Sequence, residues 1–213
     1  MDILKAPKII VNNLRKVGKL FDGIENDEKI ENVFVENYVV ENIKITNITI
    51  EKAIINNVEI INGKLENSTF ADIEFNNCNF SNSSFENSSF IRCKFNNCKL
   101  TGCNFIENRI YNVSFLESNI SYANFSIASI ENVLFSSSNL RNSCFQENKL
   151  KNISFNKADL TQAQFFKTNL KEIDFSSSVI EGIAVSIEDI KGAIINQFQA
   201  IDLLYLLEVK VKE

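Results

Sequence analysis

Three cysteines at five-residue spacing, Cys93, Cys98 and Cys103, are the first residues of this sequence whose pattern suggests chemistry. Spaced thiolates hold structural metals, and a thiolate beside a base is a nucleophile. The base is missing. The chain contains no histidine, which removes Ser-His-Asp and Cys-His arrangements together with the commonest general base. Its six glycines build neither a P-loop nor a dinucleotide-binding turn. The phase of the thiols points to packing instead. Cys78, Cys93, Cys98 and Cys103 share one place in a five-residue period, where Ser, Ala and Val alternate with them, and cysteine acts there as a small apolar residue. Cys144 falls out of that phase, one residue before Phe145, and is expected to face outward. Carboxylates such as Asp72 and Glu74 fall on positions read as outward, in solvent. No catalytic, cofactor-binding or metal-binding set emerges, and the chain is read as non-enzymatic.

The period that orders the cysteines orders nearly everything else. From Ile30 to Ile195, all 34 residues whose number is a multiple of five are apolar, and fourteen of them are Phe. Five fits neither standard element. On a helix it turns the side chain by about 500°, so the apolar stripe would wander. On a flat strand it is odd, so successive Phe would fall on opposite faces. The chain must therefore turn a corner in each repeat, and four repeats close a square. Two residues before each central residue sit small or apolar side chains, on the same inward face of a short extended segment. Two residues after it Asn recurs, as at Asn37, Asn57, Asn77, Asn97 and Asn132, a residue that tolerates left-handed φ and bonds nearby backbone. Residues 20 apart must stack in columns, and Phe75, Phe95, Phe115, Phe135, Phe155 and Phe175 should form one interior ladder.

On these residues the chain resembles the pentapeptide-repeat family, over about residues 30–197. The resemblance implies an all-β fold, a right-handed quadrilateral β-helix of about eight coils. At a strand spacing of about 4.8 Å the rod would be roughly 40 Å long. Residues 1–29 read as an N-terminal cap, with Lys5, Lys8, Arg15, Lys16 and Lys19 in solvent. Residues 198–213 read as a C-terminal helix and tail. Asn196 and Gln199 have the spacing of a capping box, and the helix after them is apolar on nearly every side. One stripe, Leu203 and Leu206, is expected on the last coil. The other, Phe198, Ile201, Leu204 and Tyr205, is the candidate interface of a twofold homodimer.

The same C-terminal stretch, IEGIAVSIEDIKGAIINQFQAIDLLYLLEVKV, with SYANFS at 121–126 and ENSTF at 66–70, is similar to the quinolone-resistance (Qnr-like) branch of bacterial members. That branch carries loops between coils; this chain has none between residues 30 and 195. The resemblance implies a homodimer joined through the C-terminal helices and binding to a type II topoisomerase, DNA gyrase or topoisomerase IV. The function expected is a protein-binding scaffold acting as a partial DNA mimic. The alternative is a structural or accessory protein with no topoisomerase contact.

Charge bears on that partner. Residues 30–74 carry a net charge of −5, residues 91–171 carry +5, and residues 172–190 carry −5. The candidate acidic patch is Glu172, Asp174, Glu181, Glu188 and Asp189. The candidate protein-binding face is Ile91, Ile106, Tyr111, Leu116 and Tyr122, apolar residues at outward positions. No direct contact with nucleic acid is expected, and no window is long and apolar enough to span a membrane. An odd number of cysteines and a start unlike a signal peptide favour a cytoplasmic setting with free thiols.

Overall fold

The computed structural model describes residues 4–208. Its backbone is set by one local event repeated with little variation. Every fifth residue from Asp27 to Glu172 has φ between 49° and 68°, in the left-handed region. Asn holds half of these corners, because the left-handed conformation costs it little and Ala or Val far more. Between corners the chain is extended, so each five-residue stretch forms one side of a square. Four sides make a coil of 20 residues.

Coils stack by parallel pairing at a constant offset of 20. The strands β1 (Arg15–Val17), β2 (Lys29–Glu41), β3 (Thr49–Ile61), β4 (Thr69–Asn76), β5 (Ser89–Asn96), β6 (Arg109–Leu116), β7 (Ser129–Ser136) and β8 (Lys149–Asn156) follow one another in a single sheet, in sequence order. From β2 to β8 the register is fixed, with Ile50 opposite Phe70 and Phe70 opposite Phe90. The sheet covers the first side of the square, centred on residues such as Phe70, and the second, centred on Phe75. The third and fourth sides, centred on Phe80 and Phe85, are joined by single bridges such as Asn79↔Lys99 and Ser84↔Asn104. The result is a right-handed, four-sided parallel β-helix. Seven coils carry paired strands, and an eighth, residues 169–188, continues them in turns.

Two phenylalanine ladders on opposite sides fill the interior. Phe75, Phe95, Phe115, Phe135, Phe155 and Phe175 stack face to face at 4.6–5.5 Å. Phe85, Phe105, Phe125, Phe145 and Phe165 form the second ladder, at 4.9–5.4 Å. The two meet edge-on, as at Phe125 and Phe135, 6.1 Å apart and 81° inclined. Both geometries suit the aromatic quadrupole, and each fully buried ring contributes about 1.5–3 kcal/mol from burial alone.

The ends are closed differently. At the N-terminal mouth Leu20 and Phe21 are buried against the first coils, and β1 pairs with β2. Ahead of them, the expectation of a simple cap is corrected. Residues 4–8 run along the outside of the rod, over the corner between the first and second sides. The Lys8 N–H donates to Asp72 at 2.8 Å and the Lys5 N–H to Asn112 at 3.3 Å. Three residues of extended chain cover roughly 10 Å, the rise of two coils, which is why Lys5 and Lys8 meet corners two coils apart. The lysine side chains stay in solvent.

At the C-terminal end the expected continuous helix is corrected as well. After α1 (Ile187–Ile190) the chain forms a short α2 (Gln199–Asp202), then a 3-10 turn over Leu204–Leu207. Leu203 and Leu206 pack on the core, while Phe198, Ile201 and Tyr205 remain exposed. The Gln199 side chain and the Tyr205 hydroxyl tie these turns to carbonyls of Phe175, Ser178 and Ile183, which holds the segment against the end of the rod.

Candidate functional site

The thiols are where their phase put them. Cys78, Cys93, Cys98 and Cys103 are buried, and none of the five cysteines is paired. Each buried thiol points its sulfur at a carbonyl of the preceding coil, Cys98 at Phe75 (3.4 Å) and Cys103 at Phe80 (2.9 Å). Serines in the same place do the same: Ser118 donates to Phe95 and Ser138 to Phe115. This position is a rung-to-rung hydrogen bond made by whichever small donor is present. Burial pushes the Cys93 thiol up to about 12, and Cys98, facing the Cys78 thiol and buried, lies far above the ordinary cysteine range. The Cys93 and Cys98 thiols stay protonated and inert. Cys144 is the partly exposed one, with its sulfur 3.1 Å from the Ser126 hydroxyl.

The five residues of the apolar face do not share one side. Ile91 and Tyr111 are register partners on the first side. Leu116 lies on the second, where with Leu134 it borders a groove of about 250 Å³ against Leu4 and Pro7 of the N-terminal arm. Ile106 is on the fourth side, and Tyr122 sits at the corner of the third and fourth, 64% exposed. Only the first pair therefore touches. The repeat explains the dispersal: residues 15 or 16 apart stand on different sides, whatever their closeness in sequence.

The acidic set is likewise spread around the end of the rod. Glu172 is at a corner, Asp174 on the second side and Glu181 on the third, all exposed. Asp189 is engaged in the fold, accepting from the Ser186 hydroxyl at 2.6 Å and the Lys167 N–H at 2.9 Å. Glu188, beside it in the first turn of α1, is exposed.

Asp72, read from sequence as a solvated charge, is buried. Arg92, one coil further along the same corner column, grips it with two hydrogen bonds of 2.6 Å, and the Lys8 N–H completes the set. Burial works to raise the Asp72 carboxyl. The hydrogen bonds from Arg92 and Lys8 and the Arg92 charge outweigh it and hold the group below its usual range. A spacing of 20 between Asp and Arg at successive corners was the available signal.

The C-terminal end carries several exposed large apolar side chains close together in sequence. Phe198 is 72% exposed and Ile201 61%, with Tyr205 and Leu207 beside them and Leu204 half-buried. The Tyr205 hydroxyl donates to the Ile183 carbonyl, which ties this surface to the last coil. Beneath it Asn196 and Gln199 form the capping box. Among the described residues no helix is long and apolar enough to cross a membrane.

Comparison with known proteins matches this geometry to one family. A model of the pentapeptide repeat region matches residues 88–165, and a model of pentapeptide repeats matches residues 68–105 and 149–182. Among solved structures, the chain is similar to HetL, a pentapeptide repeat protein involved in heterocyst differentiation regulation from the cyanobacterium Nostoc sp. strain PCC 7120. The identity is 14%, over 79% of this chain and 85% of that one, with a TM-score of 0.56. A trypsin-treated variant of QnrB1, a plasmid-mediated fluoroquinolone resistance protein, aligns at 17% identity over 87% and 99% of the two chains, with a TM-score of 0.48. No curated protein matches the chain.

Proposed function

Since the chain belongs to the pentapeptide-repeat family, we propose that it is a non-catalytic scaffold that binds proteins and pairs with a second copy through its C-terminal end. The observation that supports this most is the end surface. Phe198, Ile201 and Leu207 stand 61–72% exposed on a cap whose other stripe is already committed to the core. Apolar groups gathered at one end of the rod lose water contact when a second end covers them. A twofold arrangement lets each copy offer the same patch. All five cysteines are free thiols, which fits a cytoplasmic, reducing setting.

For the partner along the rod we propose a type II topoisomerase. Support comes from the resemblance of the C-terminal stretch to quinolone-resistance proteins and from Glu172, Asp174 and Glu181 on the surface near that end. Tail-to-tail pairing would double this negative charge about the twofold axis, a local mimic of DNA phosphates. One feature favours the alternative, an accessory protein without topoisomerase contact: corners follow one another from Asp27 to Glu172 with no inserted loop. A supercoiling assay with DNA gyrase, with and without a fluoroquinolone, separates the two. The topoisomerase reading predicts a change in supercoiling or in drug inhibition that is lost with Glu172→Lys, Asp174→Lys and Glu181→Lys combined. No change at micromolar protein leaves the scaffold and removes this partner.

A further inference from the structure

Between the seventh and eighth coils the hydrogen-bonded ladder opens on half of its perimeter. On the third and fourth sides pairing continues, with Leu160 donating to Val179 and Phe165 to Ala184, each at 2.8 Å. On the first and second sides β8 is the last strand of the sheet, and among the described residues no backbone hydrogen bond joins 149–156 to 169–176. One coil later pairing resumes: Leu170 donates to Asp189 at 2.9 Å and Phe175 to Ile194 at 2.8 Å. The N–H groups of Leu150 and Asn152 therefore have no rung ahead of them. On the opposite lip the carbonyls of Asn169 and Lys171 accept no backbone hydrogen bond among the described residues.

The sequence supplies a steric cause. The inward position two residues before the centre wants a small side chain, and Ile73 is flanked in its column by Ala53 and Cys93. Ile153 and Ile173 are adjacent in the same column, so two bulky side chains meet there. The interior stays shut, with Phe155 and Phe175 stacked at 5.5 Å and both buried. Only the outer wall parts, as a cleft of about 290 Å³ that includes Leu150, Asn152, Ile153, Asn169 and Lys171.

We infer that this cleft captures the C-terminal residue of a partner polypeptide, an apolar side chain carrying a free carboxylate. Two lysines, Lys151 and Lys171, and one carboxylate, Glu172, share the lining, and the rest of it suits that group. The N–H groups of Leu150 and Asn152 are donors for a carboxylate. Lys149, which lines the adjoining opening beside Leu150 and Asn169, forms no ion pair among the described residues, and Lys171 reaches Glu172 at only 3.9 Å with both largely exposed. Half-buried Leu150 and Ile153 offer an apolar floor. The free carbonyls of Asn169 and Lys171 suit the N–H of the terminal peptide, which a bare anion does not have. The volume accommodates about one residue.

The test is a titration of the ¹⁵N-labelled full chain with N-acetyl-Val-Leu as the free acid, with its C-terminal amide, and with acetate. The free acid should shift the Leu150 and Asn152 amides saturably, and the amide form should bind at least about tenfold more weakly. Lys149→Gln with Lys171→Gln, at the surface, should weaken the free acid by about tenfold with the fold intact by circular dichroism. Ile173→Ala should close the ladder, slowing exchange of those two amides and abolishing their response. Equal binding of acid and amide, acetate binding as tightly as the peptide, or no response at Leu150 and Asn152 would each overturn the assignment.

Discussion

Asn196 and Gln199 hold each other across the first turn of the end cap. The Asn196 side-chain oxygen accepts from the Gln199 N–H at 3.1 Å, and the Gln199 oxygen accepts from the Asn196 N–H at 2.9 Å. The remaining Gln199 amide donates to the carbonyls of Phe175 and Ser178 at 2.9 and 2.7 Å. One side chain thus caps the turn and ties it to the last coil. Gln199→Leu keeps the volume and the backbone N–H bond to Asn196 but removes the three bonds of the Gln199 side chain, leaving two carbonyls and one N–H unpaired at a buried site. We expect a loss of about 2 kcal/mol in urea unfolding; a change below about 0.5 kcal/mol would show that the cap rests on apolar packing alone.

Phe125 and Asn124 separate the inside of the rod from the outside. Phe125 is fully buried and stacked 4.9 Å from both Phe105 and Phe145, whereas Asn124 faces outward and accepts from Ser126. Phe125→Asp places an unpaired charge in the ladder and should unfold several coils, a loss above about 4 kcal/mol. Phe125→Leu should cost about 1–2 kcal/mol, and Asn124→Asp should be close to neutral. Thermal unfolding of the three variants gives the ranking, and equal shifts would contradict the assigned phase.

Ile127 occupies a left-handed corner at φ 61°, 54% exposed. A β-branched side chain is strained there, and most of the other corners in the rod use Asn. Ile127→Asn should raise the thermal midpoint, by about 1 kcal/mol of stability. A lower midpoint would mean that the isoleucine side chain contributes more through contacts than its backbone loses.

The contact between the N-terminal arm and the rod should be acid-sensitive. The Asp72 carboxyl is held below its ordinary value by Arg92 and the Lys8 N–H. A depressed carboxyl contributes stability above its unfolded value, about 3.9, and that contribution is lost as pH falls through the lower folded value. The Lys8 amide should be protected from exchange at pH 6 and lose protection below the usual carboxylate range. Asp72→Asn should weaken that protection at neutral pH and flatten its dependence on pH. Protection unchanged down to pH 2 would remove Asp72 as the anchor.

What the sequence discloses here is what repeats. Corners, columns and ladders follow from one period, because each residue at Phe115 or Asn132 faces the same neighbours as its counterparts 20 residues away. Single events leave no period. The arm meets the rod through Lys5 and Asn112, 107 residues apart, with two backbone hydrogen bonds and no hydrophobic pattern behind them. The arm adds the Lys8 hydrogen bond to Asp72, and that part of its setting leaves no period either. Apolar residues such as Leu116 and Tyr122 look like neighbours in sequence, yet six residues carry the chain past a corner and onto another side. The opening after β8 was written in Ile153 and Ile173, but only a column alignment shows them side by side.

The central claim, that the rod is a scaffold completed by pairing through its C-terminal end, is tested most directly by light scattering on the full chain at micromolar concentration. The expected mass is twice that of the 24.2 kDa chain. A folded particle of single mass is expected when Phe198→Glu and Ile201→Lys are combined, two exposed sites that leave the Tyr205–Ile183 hydrogen bond and the capping box in place. A wild-type mass of one chain, or a double variant that still pairs, would contradict it.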